Sequence, residues 1–149
     1  MNLPMGTLTD EQKADLAYMA EEEKLAHDLY TVLGKKYPKT TVFATISNSE
    51  QRHWDAVVRL LDRYGIADPT KGMAAGEFAS ADLQKMYDDL LDGATTRKKA
   101  LRVGIAVEKD DIAELKEASA DVTAPDVSRV YANLTAGSKK HLAAFRSRL

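Results

Sequence analysis

The sequence predicts an all-α protein, and three observations carry that prediction. Apolar residues recur at spacings of three and four. β-branched residues are scattered, so strand signals are weak throughout. Capping and stop signals divide the chain into four long segments and a short one. The expected architecture is four long helices in antiparallel arrangement, with one or two short extra helices between the second and third. Residues 1–8 are read as a short tail and 9–149 as one domain, a size that suits one core.

The first helix is expected from about Thr9 to Gly34. Thr9 followed by Gln12 can form a capping box, and Gly34 with Pro38 marks the stop. The second is expected from about Thr41 to Tyr64, ended by Gly65 and Pro69. Lys71 to Gly76 is glycine-rich and reads as loop. A shorter helix covers Ser80 to Leu91 and stops at Gly93. The third long helix runs from Thr96 to Ala118, the fourth from Pro125 to Arg148 with Pro125 in its first turn. The short connection between the last two favours antiparallel neighbours.

Composition removes several function classes. A net charge of −2 offers no basic field for nucleic acid. With no cysteine, disulfides, zinc–thiolate sites and iron–sulfur clusters are excluded. The sequence shows no signal-peptide pattern and no apolar run of membrane-spanning length, so a cytoplasmic protein without a membrane partner is expected.

The informative stretch is MAEEEKLAHDLY, residues 19 to 30. Seven residues make nearly two helical turns, so positions i−7, i and i+7 share a stripe. Among ionisable residues of the long helices, four have large apolar or aromatic residues at both places. They are Glu23 (Leu16, Tyr30), Glu50 (Phe43, Val57), His53 (Ile46, Leu60) and Glu108 (Leu101, Leu115). Glu21 and Glu22 are paired at seven with Asp28 and Asp15, and read as a wet face. His141 follows Leu134 by seven and shares a face with Ser138. Asp111 lies one turn after Glu108, and its neighbours Gly104 and Ala118 are small enough to leave room for a cation.

A buried carboxylate must be protonated, paired or bound to a cation. No lysine or arginine passes the seven-residue test, so no internal cation is expected. Imidazole with carboxylate suits iron, manganese or zinc, not calcium or magnesium. Glu50-x-x-His53 places a carboxylate and an imidazole one turn apart, as carboxylate-bridged di-metal proteins require. Each piece has a plainer explanation. The EEE run can be a solvated face, Glu50 can close a capping box with Ser47, His141 can serve the helix end, and His27 reads as a boundary residue. The joint pattern over four helices favours metal.

At these residues the chain resembles the ferritin-like superfamily, the rubrerythrin and bacterioferritin type of antiparallel four-helix bundle. Within it the chain is similar to a family catalogued only as a domain of unknown function. The stretches carrying this are EEEKLAHDLY, FATISNSEQRHWDAVVRLLDRYG, GEFASADLQKMYDDLLDG, ALRVGIAVEKDDIAELKE and VYANLTAGSKKHLAAF. The resemblance implies two iron ions, with manganese or zinc as alternatives. Glu23 and His53 would ligate the first ion, Glu108 and His141 the second, and Glu50 would bridge. Relatives carry Glu-x-x-His on the last helix, and this chain has Ser138-Lys-Lys-His141. Asp111 is the expected substitute bridge. Oxidase, peroxidase or ferroxidase chemistry is implied. Without a Cys-x-x-Cys segment it needs a separate electron donor, and a homodimer is left open. Tyr30, Tyr131 and Trp54 lie near the seam, chiefly as packing. The rivals are a non-catalytic zinc- or manganese-binding bundle and a metal-free helical interaction module.

Overall fold

The computed structural model describes residues 3–149. Among them are five helices and no strands: α1 (Asp10–Lys36), α2 (Val42–Arg63), α3 (Ala81–Gly93), α4 (Arg97–Ser119) and α5 (Pro125–Ser147). One short helix, α3, occupies the place where one or two were expected. Among the described residues no helix is long and apolar enough to cross a membrane.

Local chemistry sets most of the ends. Thr9 and Gln12 form the expected capping box, which satisfies donors that the first turn leaves free. Ser80 and Thr96 cap α3 and α4 by accepting from Leu83 N–H and Lys99 N–H. Pro125 stands in the first turn of α5, where its missing N–H is no loss. Gly65 ends α2 at φ 67°, a left-handed conformation that glycine adopts without steric cost. One stop signal was misread. Gly34 lies inside α1, which continues to Lys36. Its missing side chain serves an approach to α2, since an added Cβ would lie 3.4 Å from the Ala44 nitrogen.

The long helices associate through pairs whose numbers rise on one helix as they fall on the other. α1 meets α2 at Thr31–Ser47 and at Glu23–His53. α5 meets α4 at Ser138–Asp111 and His141–Glu108, and α2 at His141–Glu50 and Asp126–Tyr64. α1 meets α4 at Tyr30–Glu108. The segment between α2 and α4 lays α3 against α1 and α4.

The apolar core has two halves. One gathers Leu29, Leu33, Phe43, Leu101 and Phe145, the other Leu16, Leu60, Leu61, Leu115 and Leu134. Each fully buried side chain of this kind contributes about 1.5–3 kcal/mol. On every long helix the candidate ligands fall between these halves, so a polar layer separates two apolar ones.

Residues 3–8 pack against the helices: Leu8 is buried, Gly6 N–H donates to Tyr64 Oη, and Leu3 C=O accepts from Arg63. Residues 1–2 of that segment lie outside the described residues. One expectation about the exterior fails: the wet face of α1 is absent. Between Met19 and Tyr30 only Glu22 and His27 keep partial exposure. Glu21, Lys24 and Asp28 are buried because the chain around residues 74–80 covers that side of α1. Lys24 is therefore an internal cation that seven-residue spacing did not reveal.

Candidate metal centre

Five of the six expected residues form two triads. Glu23, Glu50 and His53 make the first, and Glu50, Glu108 and His141 the second, each with donor atoms within 4.8 Å of one another. Donors bound at about 2.0–2.2 Å around one ion stand at most roughly 4.4 Å apart. The triads thus need only a small contraction to hold an ion. Glu50 belongs to both and presents one oxygen to each histidine. His141 Nδ1 is 2.8 Å from Glu50 Oε1, and His53 Nδ1 is 3.3 Å from Glu50 Oε2. The imidazole rings lie nearly parallel, 5.4 Å apart.

Helix spacing explains the convergence. Glu50 and His53 are one turn apart on α2, so their side chains leave the same face. Ser47 does not use Glu50 as a capping partner; its hydroxyl bonds Thr31 and the His27 carbonyl. Neighbours then fix the ligand orientations. His141 Nε2 meets Ser49 Oγ at 2.9 Å, which leaves Nδ1 to face the carboxylates. Tyr30 Oη donates to Glu108 Oε2 at 2.5 Å. His53 rests on the bare backbone of Gly137, where an added Cβ would come within 2.6 Å of its ring.

Asp111 lies beside the triads, not in them. Its Oδ2 accepts from Ser138 Oγ at 2.8 Å, and its Oδ1 has no hydrogen-bond partner. The room expected next to Gly104 is filled by the Phe145 ring, which an added Cβ would meet at 2.8 Å. His27 is outside both triads and bonds Asp28. Tyr30 and Tyr131 are buried, and Trp54 Nε1 donates to Thr70 Oγ1.

The electrostatics are those of crowded, dry carboxylates. Burial pushes Glu23 well above the usual carboxylate range, and the charges of Asp111 and Glu50 push it further. Burial raises Asp111 likewise, reinforced by Glu50 and Glu108. Glu108 is raised by burial and Glu50, against the opposing pull of His141 and Tyr30. Burial also acts to raise Glu50, but the hydrogen bond from His141 and the close approach of the His53 imidazole outweigh it and hold it at about 2. Burial acts to lower His141, and its bonds to Glu108 and Glu50 lift it to about 9.

The donor set fits a metal. Both Glu23 oxygens, Glu50 Oε2, His53 Nδ1 and Asp111 Oδ1 are buried without hydrogen-bond partners. An unpaired buried charge costs several kcal/mol, and buried polar atoms are ordinarily satisfied. A cation at the triads would satisfy these atoms together.

Fold and site define a class: an all-helical protein with a buried carboxylate–histidine layer. The chain belongs to the family described as an uncharacterized protein domain, DUF2202, which matches residues 12–149. It is similar to the uncharacterized protein MJ0754 of Methanocaldococcus jannaschii, with 39% identity over 145 residues, 97% of this chain and 78% of the relative. The crystal structure of the hypothetical protein MJ0754 from Methanococcus jannaschii superimposes with a TM-score of 0.93 at 38% identity. That match covers 97% of this chain and 83% of the other.

Proposed function

We propose that the protein is a single-domain, ferritin-like four-helix bundle whose polar layer binds two metal ions, iron first, with manganese or zinc as alternatives. The observation that carries this reading is the pair of triads sharing Glu50, with partnerless atoms facing one another inside the core. Glu23 and His53 hold one ion, Glu108 and His141 the other, and Glu50 bridges. Asp111 is the sixth candidate through its free Oδ1. Two ferrous ions there would supply electrons to oxygen or peroxide, which is the basis for assigning oxidase, peroxidase or ferroxidase activity. The chain's own residues keep the ligands oriented and the site dry: Tyr30 holds Glu108, Ser49 holds His141, and the apolar halves of the core exclude water. With no cysteine in the chain, a separate cytoplasmic electron donor completes the cycle.

Ser138 favours a second reading. Its hydroxyl stands where relatives of the ferritin-like type carry a bridging glutamate, and the smaller donor set suits a zinc or manganese site without turnover. Anaerobic ferrous titration tests the first reading. Two irons per chain are expected, with both lost in Glu50→Ala and one in His53→Ala. Binding no tighter than in a variant stripped of all five triad residues removes the metal assignment. Iron binding without oxygen consumption leaves the non-redox reading.

A further inference from the structure

A furrow runs along the outside of the protein between α1 and α4. Its outer part is walled by Glu11 and Asp15 on α1 and by Glu114 and Glu117 on α4. Its inner part is a hollow of about 250 Å³. There the acidic walls are Glu22, Asp110, Asp111 and Glu114, and α3 closes one side with Leu83 and Met86. None of the residues lining either part is a lysine or arginine.

Exposed acidic residues alone are a solvated surface. The inner end adds an observation of another kind. Asp111 is only 7% exposed, lines the hollow, and has one carboxylate oxygen without a partner. Ser138 ties its other oxygen to α5. Glu22, half-buried on the facing helix, lines the same hollow and also has a partnerless oxygen. Asp111 is the charge that acts most strongly on Glu23. The carboxylates thus form a series from solvent, through half-buried Glu22 and buried Asp111, to the first triad.

We infer that this furrow is the port through which divalent cations reach the buried centre, with Glu22 and Asp111 as its inner ligands. The inference rests on the metal-centre reading above. Exposed carboxylates raise the local concentration of cations, and a groove of one sign focuses the field into the hollow, an effect worth about 10–10³ in association rate. Each deeper carboxylate replaces water on the ion, so dehydration proceeds in steps.

The test uses cobalt(II) alone, followed by stopped-flow absorbance without oxygen. Asp110→Asn/Glu114→Gln changes two exposed furrow residues, and Asp55→Asn/Asp62→Asn makes the same charge change on exposed positions of α2. The furrow variant should load about tenfold more slowly at low ionic strength, with the final cobalt count unchanged. The α2 variant should load close to the parent rate. Asp110→Glu/Glu114→Asp, which keeps the charges, should restore loading, and salt of about 0.5 M should erase the difference. Equal loading rates in the two neutralised variants would overturn the port while leaving the centre intact. A parent protein that takes up no cobalt is a separate result, and removes the centre and the port together.

Discussion

Helix α1 buries charge on two faces, and the chain treats the two differently. On the outer face Lys24 Nζ has three partners: Asp28 Oδ2 at 2.6 Å and the Ala74 and Glu77 carbonyls, each at 2.8 Å. Asp28 also accepts from Gly76 N–H, and Glu21 Oε1 accepts from the N–H groups of Ala79 and Ser80. On the inner face, two residues from Glu21, both oxygens of Glu23 have no hydrogen-bond partner. Burial is comparable, with Lys24 at 1% and Glu23 at 0% exposure. What differs is the source of compensation. The outer charges are compensated by the protein's own backbone and side chains and serve to clamp the crossover segment. The inner charges lack that compensation, which is why a cation is assigned there.

The largest effect should come from breaking the outer face. Lys24→Met leaves Asp28 buried without its partner and frees two carbonyls, a change that costs about 3–5 kcal/mol for a buried pair. Urea unfolding should show the same loss with excess chelator and with saturating metal. A loss seen only in the chelated protein would mean that Lys24 belongs to the metal centre after all.

The inner face should respond with the opposite sign. Glu23→Gln removes one of several repelling buried carboxylates and supplies an amide that can donate to Glu50 or Asp111. Metal-free stability at neutral pH should rise by about 1–3 kcal/mol. Affinity for the first ion should fall at least about tenfold, since a first-ion ligand is lost. Calorimetry of the chelated protein and a metal titration check the two halves. Destabilisation of the metal-free form would show that Glu23 is already satisfied within the chain.

The same contrast predicts a pH dependence. Glu23, Glu108 and Asp111 have folded values above the unfolded ones, 4.5 for glutamate and 3.8 for aspartate. Their contribution is therefore complete below those unfolded values and is lost as pH rises through the folded ones. Glu22, raised to about 9 by burial and by the charges of Asp111, Glu114 and Asp110, extends the loss to that pH. His141 acts in the same direction: its contribution is complete below 6.5 and lost toward about 9. Glu50, held at about 2, works at the other end, where its contribution is lost as pH falls from 4.5 toward 2. The melting temperature of chelated protein should fall between pH 5 and pH 9, and bound metal should flatten the curve. A flat profile without metal would count against crowded carboxylates.

How much of this was legible in the sequence follows from what helical spacing measures. The capping box at Thr9, the helix starts at Ser80 and Thr96 and the turn at Gly65 are local, and they stand where the residues placed them. The inward stripe of each long helix was also legible, because Glu23, Glu50, His53 and Glu108 sit among large apolar residues of their own helix. Asp111 was identified as inward, but its bond to Ser138 and the filling of the Gly104 space by Phe145 depend on α5. Lys24, Asp28 and Glu21 were missed because their cover comes from residues some fifty positions away. A seven-residue stripe reports which side of a helix faces its long neighbours, and is blind to a loop that covers the other side.

The smallest effect is expected at Glu21, and it gives the sharpest form of the comparison. Glu21→Gln makes the same chemical change as Glu23→Gln, two residues away on the same helix. The amide oxygen can still accept from Ala79 and Ser80, now 2.7 and 3.1 Å from Glu21 Oε1, so both bonds survive in weaker, uncharged form. Losing the charge assistance should cost about 1 kcal/mol or less. The hydrogen bonds of Glu21 point toward the crossover segment, away from the triads, so metal count and affinity should stay at the parent values. One removed charge would then weaken the protein slightly and spare the metal, while its neighbour's removal strengthens the metal-free protein and loses the ion. Titration of both variants beside the parent decides the matter. If Glu21→Gln lowers the metal count as Glu23→Gln does, the two faces of α1 are one electrostatic system and the division between clamp and centre fails.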